Sequence, residues 1–259
     1  MLKKRLIFTL LYSKGSFMLS RNFRLQRVGN ADWLNRNYNF STIATSIDEL
    51  IILNTERADD GTPLSHQKFL SDVEKVTKGC FMPLALGGGL TSVDQIPQLM
   101  QSGADKIVVN TALFRNAEFV RAAVAKYGSQ CVVASIDYRH SQDGFEIYTA
   151  CGSERVEGEF TDLLAYVADL GVGEIYLNSM DKDGTGQGYW MDVLDQISAI
   201  EHLPVIMAGG AGNFEHLMEG LGSANIDAVA TANLFNFVGD GLPKAREKLL
   251  AHDQNLARW

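Results

Sequence analysis

The chain contains eight short apolar runs of strand length, each followed by glycine or another turn-forming residue. The apolar residues within a run are mostly continuous rather than alternating, which is typical of parallel strands buried on both faces. Parallel neighbours need long crossover connections, so this pattern limits the chain to an α/β fold. The runs are RLIFTLL (5–11), LIILN (50–54), PLALGGG (83–89), KIVVN (106–110), VVASID (132–137), EIYLN (174–178), PVIMAGG (204–210) and DAVATA (227–232).

Segments with the apolar spacing of amphipathic helices separate the runs, and several of them close with glycine. Examples are SVDQIPQLMQSG (92–103), EFVRAAVAKYG (118–128), FTDLLAYVADLG (160–171) and FEHLMEGLG (214–222). Strands and helices alternating in this way within 259 residues predict an α/β domain of one architecture, the (β/α)8 TIM barrel. Because no linker or low-complexity stretch divides the sequence, we expect residues 1–259 to form a single barrel.

The second half of the sequence repeats the first half in order and spacing. ILNTERADDGT (52–62) resembles YLNSMDKDGT (176–185), and residues 82–114 resemble residues 203–235. The repeat predicts a twofold barrel made of two half-barrels, roughly 1–128 and 129–259. When the first run is laid over the fifth without gaps, Leu11 falls opposite Asp137. One copy therefore ends in a leucine where the other ends in an acid.

Composition and charge argue against several classes of function. The net charge is −8 and no long run of lysine and arginine occurs, so we expect no nucleic-acid partner. No segment reaches the ~18 apolar residues of a membrane span, and the apolar run near the amino terminus is interpreted as a first strand rather than a signal peptide. The cysteines and histidines form no ligand motif, which predicts reduced thiols, a cytoplasmic protein, and no metal or other cofactor.

Two groups of residues that follow the predicted strands have the composition of anion sites. Glycine exposes backbone amides, and asparagine and threonine add side-chain donors. In a (β/α)8 barrel these residues would lie at the carboxyl-end face, where active sites are found. The alternative is that the glycines only turn the chain. The first cup is defined as Gly89, Asn110 and Thr111, and the second cup as Asp183, Gly184, Gly210, Ala211, Ala232 and Asn233. Two cups on opposite sides suit a small molecule with a phosphate at each end.

Asp137 ends the fifth strand and is the strongest candidate for general acid–base chemistry. Such chemistry commonly uses two carboxyl groups whose environments divide the acid and base roles. The position that faces Asp137 in the repeat is Leu11, which cannot exchange a proton. The alternative interpretation of Asp137 is a turn residue that caps the strand end.

The chain resembles the cyclase subunit of imidazole glycerol phosphate synthase over essentially its whole length. The motifs that carry the resemblance are IDELIILN, LGGGLTS, GADKIVVNTA, GSQCVVASID, GEIYLNSMDKDGTGQGY, LPVIMAGGAGNFEH and ATANLF. The resemblance implies a barrel that receives ammonia from a glutaminase partner and lets it attack a bisphosphate-bearing substrate. It also implies two catalytic aspartates, of which Asp137 matches one and Leu11 replaces the other.

Four charged residues stand at or just before the starts of predicted strands: Arg5, Glu49, Lys106 and Glu174. Two cations and two anions at the amino-terminal face of the barrel could form a closed ring of ion pairs, or could merely be solvated there. The resemblance implies that they form the gate through which ammonia enters. It also implies that the glutaminase subunit docks at this face.

The departures from the cyclase pattern cluster in the first quarter of the barrel. The family has a lysine where this chain has Leu19, and an aspartate where it has Asn54. Leu10-Leu11-Tyr12-Ser13-Lys14-Gly15 is similar to a paralogue that supplies ammonia for amidino-sugar formation in surface-polysaccharide pathways. Three hypotheses stay open: such an ammonia-delivering subunit, a true cyclase using Asp137 and Asp183, and a phosphate-binding scaffold without turnover.

Overall fold

The computed structural model describes residues 3–37, 43–56, 66–232 and 241–258. Twelve strands occur in this part of the chain, and all belong to one sheet. They are β1 (Arg5–Ser13), β2 (Ser16–Arg21), β3 (Arg24–Gly29), β4 (Glu49–Asn54), β5 (Leu84–Gly87), β6 (Lys106–Val109), β7 (Val132–Ser141), β8 (Gly144–Thr149), β9 (Glu154–Arg155), β10 (Glu174–Ser179), β11 (Val205–Ala208) and β12 (Ala228–Thr231).

Eight of these strands form a closed parallel barrel. The order around the barrel is β10, β11, β12, β1, β4, β5, β6 and β7, and β7 pairs with β10 to close it. Each barrel strand overlaps one of the eight predicted runs. The predicted single (β/α)8 TIM barrel is therefore confirmed.

Helices connect most of the barrel strands. They are α1 (Ala31–Asn37), α2 (Gln67–Thr77), α3 (Ile96–Gln101), α4 (Thr111–Arg115), α5 (Ala117–Tyr127), α6 (Phe160–Ala168), α7 (Phe214–Gly222) and α8 (Gly241–Ala251). Asparagine is the N-cap residue of α5 and α7. The Asn116 side chain accepts a hydrogen bond from the Phe119 amide, and the Asn213 side chain accepts one from the His216 amide. Between β10 and β11 the chain forms two 3₁₀ helices, Met191–Gln196 and Ser198–Ile200, instead of an α-helix.

Two barrel strands continue beyond the barrel as antiparallel hairpins. β1 turns at Lys14 and Gly15, both with positive φ, into β2, which pairs with β3. β7 continues into β8, which pairs with β9. The predicted runs end at Leu11 and Asp137, and the two hairpins were not predicted. Because β1 and β7 are the repeat-related strands, both halves of the barrel share this extension.

The alternation of side chains along the barrel strands separates two apolar layers. One set packs outward against the helices and forms the larger core. The other set points into the barrel and forms a smaller cluster: Ile7, Ile51, Ala85, Val108, Val133, Tyr176, Ile206, Ala208, Ala228 and Ala230. The same alternation directs residues 5, 9 and 11 of β1 and residues 135 and 137 of β7 toward the interior. In the described part of the chain, no helix is long and apolar enough to cross a membrane.

Candidate functional site

The amino-terminal end of the barrel is closed by a ring of ion pairs, which we call the rim ring. Arg5 Nη1 donates to Glu49 Oε2 at 2.7 Å, and Arg5 Nη2 donates to Glu174 Oε1. Lys106 Nζ lies 3.0 Å from both carboxylate oxygens of Glu49 and 2.9 Å from Glu174 Oε2. Each cation therefore contacts both anions, and the four side chains form the closed arrangement that the sequence suggested.

The rim ring is more deeply buried than charges that are simply solvated at a strand start. The side chains of Glu49 and Glu174 are 2% and 7% exposed, whereas those of Arg5 and Lys106 are 24% and 20% exposed. Burial raises the pKa of Glu49, and the charge of Lys106 opposes that change. The two carboxylates are thus buried at the amino-terminal end of the barrel, and the two cations that pair with them are partly exposed.

Asp137 lies at the opposite, carboxyl end of the barrel and is held by two amide side chains. Asn178 Nδ2 donates to Asp137 Oδ1 at 2.9 Å, and Asn110 Nδ2 donates to Asp137 Oδ2 at 3.3 Å. Burial raises the pKa of Asp137 to about 7, with a smaller contribution from the charge of Asp183. A carboxyl group with this pKa can both accept and release a proton near neutral pH.

Leu11 occupies the corresponding position on the far side of the barrel. β1 and β7 are four strands apart in the eight-stranded ring, so they face each other across the interior. Leu11 pairs in register with Leu53 of β4, and both side chains are partly buried. The wall opposite Asp137 is therefore apolar where β1 and β4 pair at this level, and among the described residues neither of these two positions carries a carboxyl group.

Asp183 is held by the hairpin that extends from β1. Its Oδ2 atom accepts hydrogen bonds from the Ser20 hydroxyl and from the Phe23 amide, the latter at 3.0 Å. Asn22 adds a backbone bond of 2.9 Å to the Asp183 carbonyl oxygen. Burial raises the pKa of Asp183, and the two bonds to its carboxylate oppose that change. The tip of the β2–β3 hairpin thus covers part of the barrel mouth.

The β8–β9 turn covers another part of the mouth. The Ala150 amide donates to Thr111 Oγ1 at 3.0 Å, and Cys151 Sγ lies 3.8 Å from the Thr55 carbonyl oxygen. Gly152 packs so closely on Phe23 that an added Cβ would lie 2.9 Å from the Phe23 ring. The two hairpin tips therefore meet above the interior.

The first cup is only partly available to a ligand. The Asn110 amide group is directed to Asp137 and to the Ser135 carbonyl oxygen, the latter at 2.9 Å. Thr111 Oγ1 already accepts the bond from Ala150. Gly89 follows β5 with φ +67° and is exposed. The phosphate role predicted for Asn110 stays a prediction, and in the structure its side chain bonds to the candidate catalytic acid.

The second cup is assembled from three loops. The Gly188 amide donates to the Gly210 carbonyl oxygen at 2.9 Å. The Thr231 hydroxyl donates to the Ala211 carbonyl oxygen at 3.5 Å, and Ala232 is the next residue in the chain. Within the described part of the chain, the amides of Gly184, Gly210 and Ala211 find no acceptor. Free amides from neighbouring loops are the donors that an anion requires. Asn233 lies outside the described residues.

Some residues of the site were not anticipated from the sequence. Asn178 bonds to Asp137, and Ser20 and Phe23 bond to Asp183. The asparagine could have been found, because the last interior positions of β7 and β10 are adjacent in a parallel pair. The hairpin contacts could not, since nothing in the β2–β3 sequence indicates where its tip docks. No group of three or more potential metal ligands occurs among the described residues.

Comparisons with known proteins show relatives that match essentially the whole chain. A family described as histidine biosynthesis protein matches residues 43–239. A protein of Parasynechococcus marenigrum, provisionally named imidazole glycerol phosphate synthase subunit hisF2, is 42% identical over 260 residues, covering 100% of this chain and 95% of its own. The imidazole glycerol phosphate synthase subunit HisF of Chlorobium limicola is 37% identical over 250 residues, covering 96% of each chain. That of Chlorobium phaeovibrioides is 37% identical over 257 residues, covering 99% and 98%.

Proposed function

Since the chain belongs to the histidine biosynthesis protein family and is a cyclase-type subunit like those of imidazole glycerol phosphate synthase, we propose that it takes ammonia from a glutaminase partner through the rim ring and uses or delivers it in a biosynthetic reaction. The single observation that carries the proposal is the closed rim ring, which places four charged groups around the axis of the barrel. The interior above this ring leads to Asp137 at the other end.

The reaction that we favour is delivery of ammonia for an amidino sugar of a surface polysaccharide. Leu11 supports this choice, because a cyclase of this type would need a carboxyl group where the leucine stands. The similarity of the Leu10–Gly15 segment to the polysaccharide paralogue supports it too. In this role the rim ring and the second cup keep their functions, and the cyclase chemistry is dispensable.

The second candidate is the cyclase of histidine biosynthesis. The observation that favours it is the pair of carboxyl groups at the mouth, Asp137 with a pKa raised to about 7 by burial and Asp183 with a raised pKa nearby. Supplying ammonium salt and the histidine-pathway bisphosphate separates the two candidates, because only the cyclase converts it. A scaffold without turnover would bind phosphate but would not stimulate a glutaminase.

Lys106→Ala provides the test of the rim ring as an ammonia gate. The variant removes the cation that bonds to both Glu49 and Glu174. In complex with the partner glutaminase, we expect more ammonia to escape to bulk solvent per glutamine hydrolysed. Lys106→Arg, which keeps the charge, is the matched control. A variant that stays folded and retains ammonia as well as the wild type does would contradict the gate.

Phe81 marks the surface on which we place the glutaminase. It is 96% exposed in the loop that precedes β5, and the Pro83 carbonyl two residues later bonds to Leu50, the neighbour of Glu49. Aromatic side chains, phenylalanine included, are enriched in the buried cores of protein interfaces, and a few such residues carry most of the binding energy. We expect Phe81→Ala to weaken glutaminase binding ~10-fold or more in calorimetric titrations. Tyr166→Ala, which removes another exposed aromatic residue, should bind normally; equal affinities for Phe81→Ala and wild type would exclude the docking role.

Anion binding should favour the second cup. Its amides are available, whereas the Asn110 and Thr111 side chains of the first cup already bond within the chain. Crystals soaked in increasing sulfate should therefore show density beside Gly210 and Ala211 before any appears beside Gly89. Density that appears first at Gly89 and Thr111 would reverse the assignment, and two empty cups at high sulfate would argue against a phosphorylated ligand.

A further inference from the structure

One tyrosine side chain crosses the interior of the barrel. Tyr176 of β10 lies with its hydroxyl 3.1 Å from the hydroxyl of Thr9 on β1, and the residues are 4% and 2% exposed. β11 and β12 separate these two strands along the barrel wall. Because the hydrogen bond joins non-adjacent strands, the phenol ring projects into the interior and passes in front of β11 and β12.

The hydrogen bond lies between the rim ring and Asp137. Thr9 follows Arg5 by four residues on β1, and Tyr176 follows Glu174 by two residues on β10. Each strand residue advances ~3.3 Å along the strand. Two residues beyond Tyr176, Asn178 already bonds to Asp137. Anything that moves through the barrel from the rim ring to Asp137 therefore passes Thr9 and Tyr176.

The surroundings of this hydrogen bond are apolar. Apart from Tyr176 itself, the interior cluster at this level consists of alanine, valine and isoleucine, with Ser135 and Thr9 as the other interior hydroxyl residues. A buried hydroxyl costs free energy unless it is hydrogen-bonded, and phenylalanine with valine would fill much the same space without that cost. The two hydroxyls thus supply a polar position inside a mostly hydrocarbon-lined passage.

We propose that Thr9 and Tyr176 form a binding position for ammonia inside the barrel, between the rim ring and Asp137. The proposal rests on the proposed function, since it assigns a residue pair to the ammonia path. Ammonia both donates and accepts hydrogen bonds, so it can accept from the Tyr176 hydroxyl and donate to Thr9 Oγ1 in place of their mutual bond. The phenol ring takes up part of the interior, so we expect the position to favour ammonia over a larger amine.

The chemistry of the phenol suits this task over a wide pH range. Burial raises the pKa of Tyr176, and the charges of Asp137 and Asp183 raise it further against the effect of the Thr9 bond. The hydroxyl therefore remains protonated, and able to donate, at an alkaline pH where much of the added ammonium is present as ammonia.

The test is carbon-13 NMR of the chain labelled at the tyrosine Cζ carbon, titrated at alkaline pH with ammonium chloride. Tyr176→Phe assigns the signal of Tyr176. Trimethylammonium chloride controls for size, and potassium chloride controls for ionic strength. Tyr12 is the matched internal control, because it is equally buried but donates to Asp72 at 2.8 Å outside the barrel.

We expect the Tyr176 signal to move and saturate with ammonium alone while the Tyr12 signal stays in place. Thr9→Val, which is nearly isosteric, should raise the ammonium concentration needed for half-saturation several-fold. A Tyr176 signal that does not respond, or that responds equally to trimethylammonium or potassium, would overturn the proposal. The measurement needs neither a glutaminase nor an acceptor, so its result is independent of whether the proposed function holds.

Discussion

Leu11→Asp is expected to raise ammonium-driven conversion of the histidine-pathway bisphosphate from near the detection limit to a measurable rate. A general acid–base group contributes ~10²–10⁴-fold, and we expect the gain to lie near the lower limit. The new carboxyl group would face Asp137 across the interior, as the pairing of the two halves of the barrel requires. Full recovery is not expected, because Leu19 still stands where the family has a lysine.

The matched control for this gain is Leu53→Asp. Leu53 lies beside Leu11 in the β1–β4 register and is also partly buried, so this variant adds the same charge at the same level of the barrel. We expect it to convert no more bisphosphate than the wild type. Equal gains in both variants would show that added negative charge, not the position of the acid, matters. Rapid conversion by the wild type would instead identify the chain as a true cyclase.

Asp137→Asn is expected to change how stability depends on pH. The folded-state pKa of Asp137, about 7, lies above its ordinary value of 3.8, so the native state binds this proton more tightly than the unfolded state does. The contribution of Asp137 to the stability of the wild type therefore falls as the pH rises from about 4 to about 7, by ~4 kcal/mol over that interval. The variant lacks this carboxyl group and should lose less stability over the same pH interval.

The measurement is the free energy of unfolding by urea at several pH values between 4 and 8. The free energy of unfolding of the variant, relative to that of the wild type, should increase as the pH rises, whatever the difference between them is at pH 4. Asp181→Asn removes a partly exposed carboxyl group from the loop that follows β10, and it is the control that should not reproduce this shift. Parallel profiles for Asp137→Asn and wild type would show that the carboxyl group is ionised throughout and cannot act as an acid near neutral pH.

The sequence predicted the barrel well because its signal is repeated eight times and depends only on local patterns. It also predicted the rim ring, since residues at equivalent strand starts must meet around one opening. It underestimated the burial of that ring. Sequence alone placed Glu49 at a rim, but the structure leaves 2% of its side chain exposed. How deeply a strand start lies depends on the loops that pack beside it, which local patterns do not encode.

The mouth was harder to predict than the barrel wall. Asp183 was assigned to phosphate and catalysis from its position after the sixth strand, yet its carboxylate bonds to Ser20 and Phe23. These residues lie about 160 positions earlier in the chain, as the separation of Phe23 and Asp183 shows. No periodicity or motif reports a contact of that kind, because it depends on the direction in which a hairpin leaves the barrel.

The meeting of the two hairpin tips above the interior bears on the order of events in a catalytic cycle. With Phe23 against Gly152, and Ala150 bonded to Thr111, an acceptor that enters beneath these tips must part the contacts, and in the proposed function this step comes before ammonia is used. Ammonia that arrived first would find no acceptor and could only wait or return. We therefore expect a compulsory sequence, in which the acceptor enters, the tips close over it, and glutamine is hydrolysed last. Such an order would protect the cell's glutamine from futile consumption.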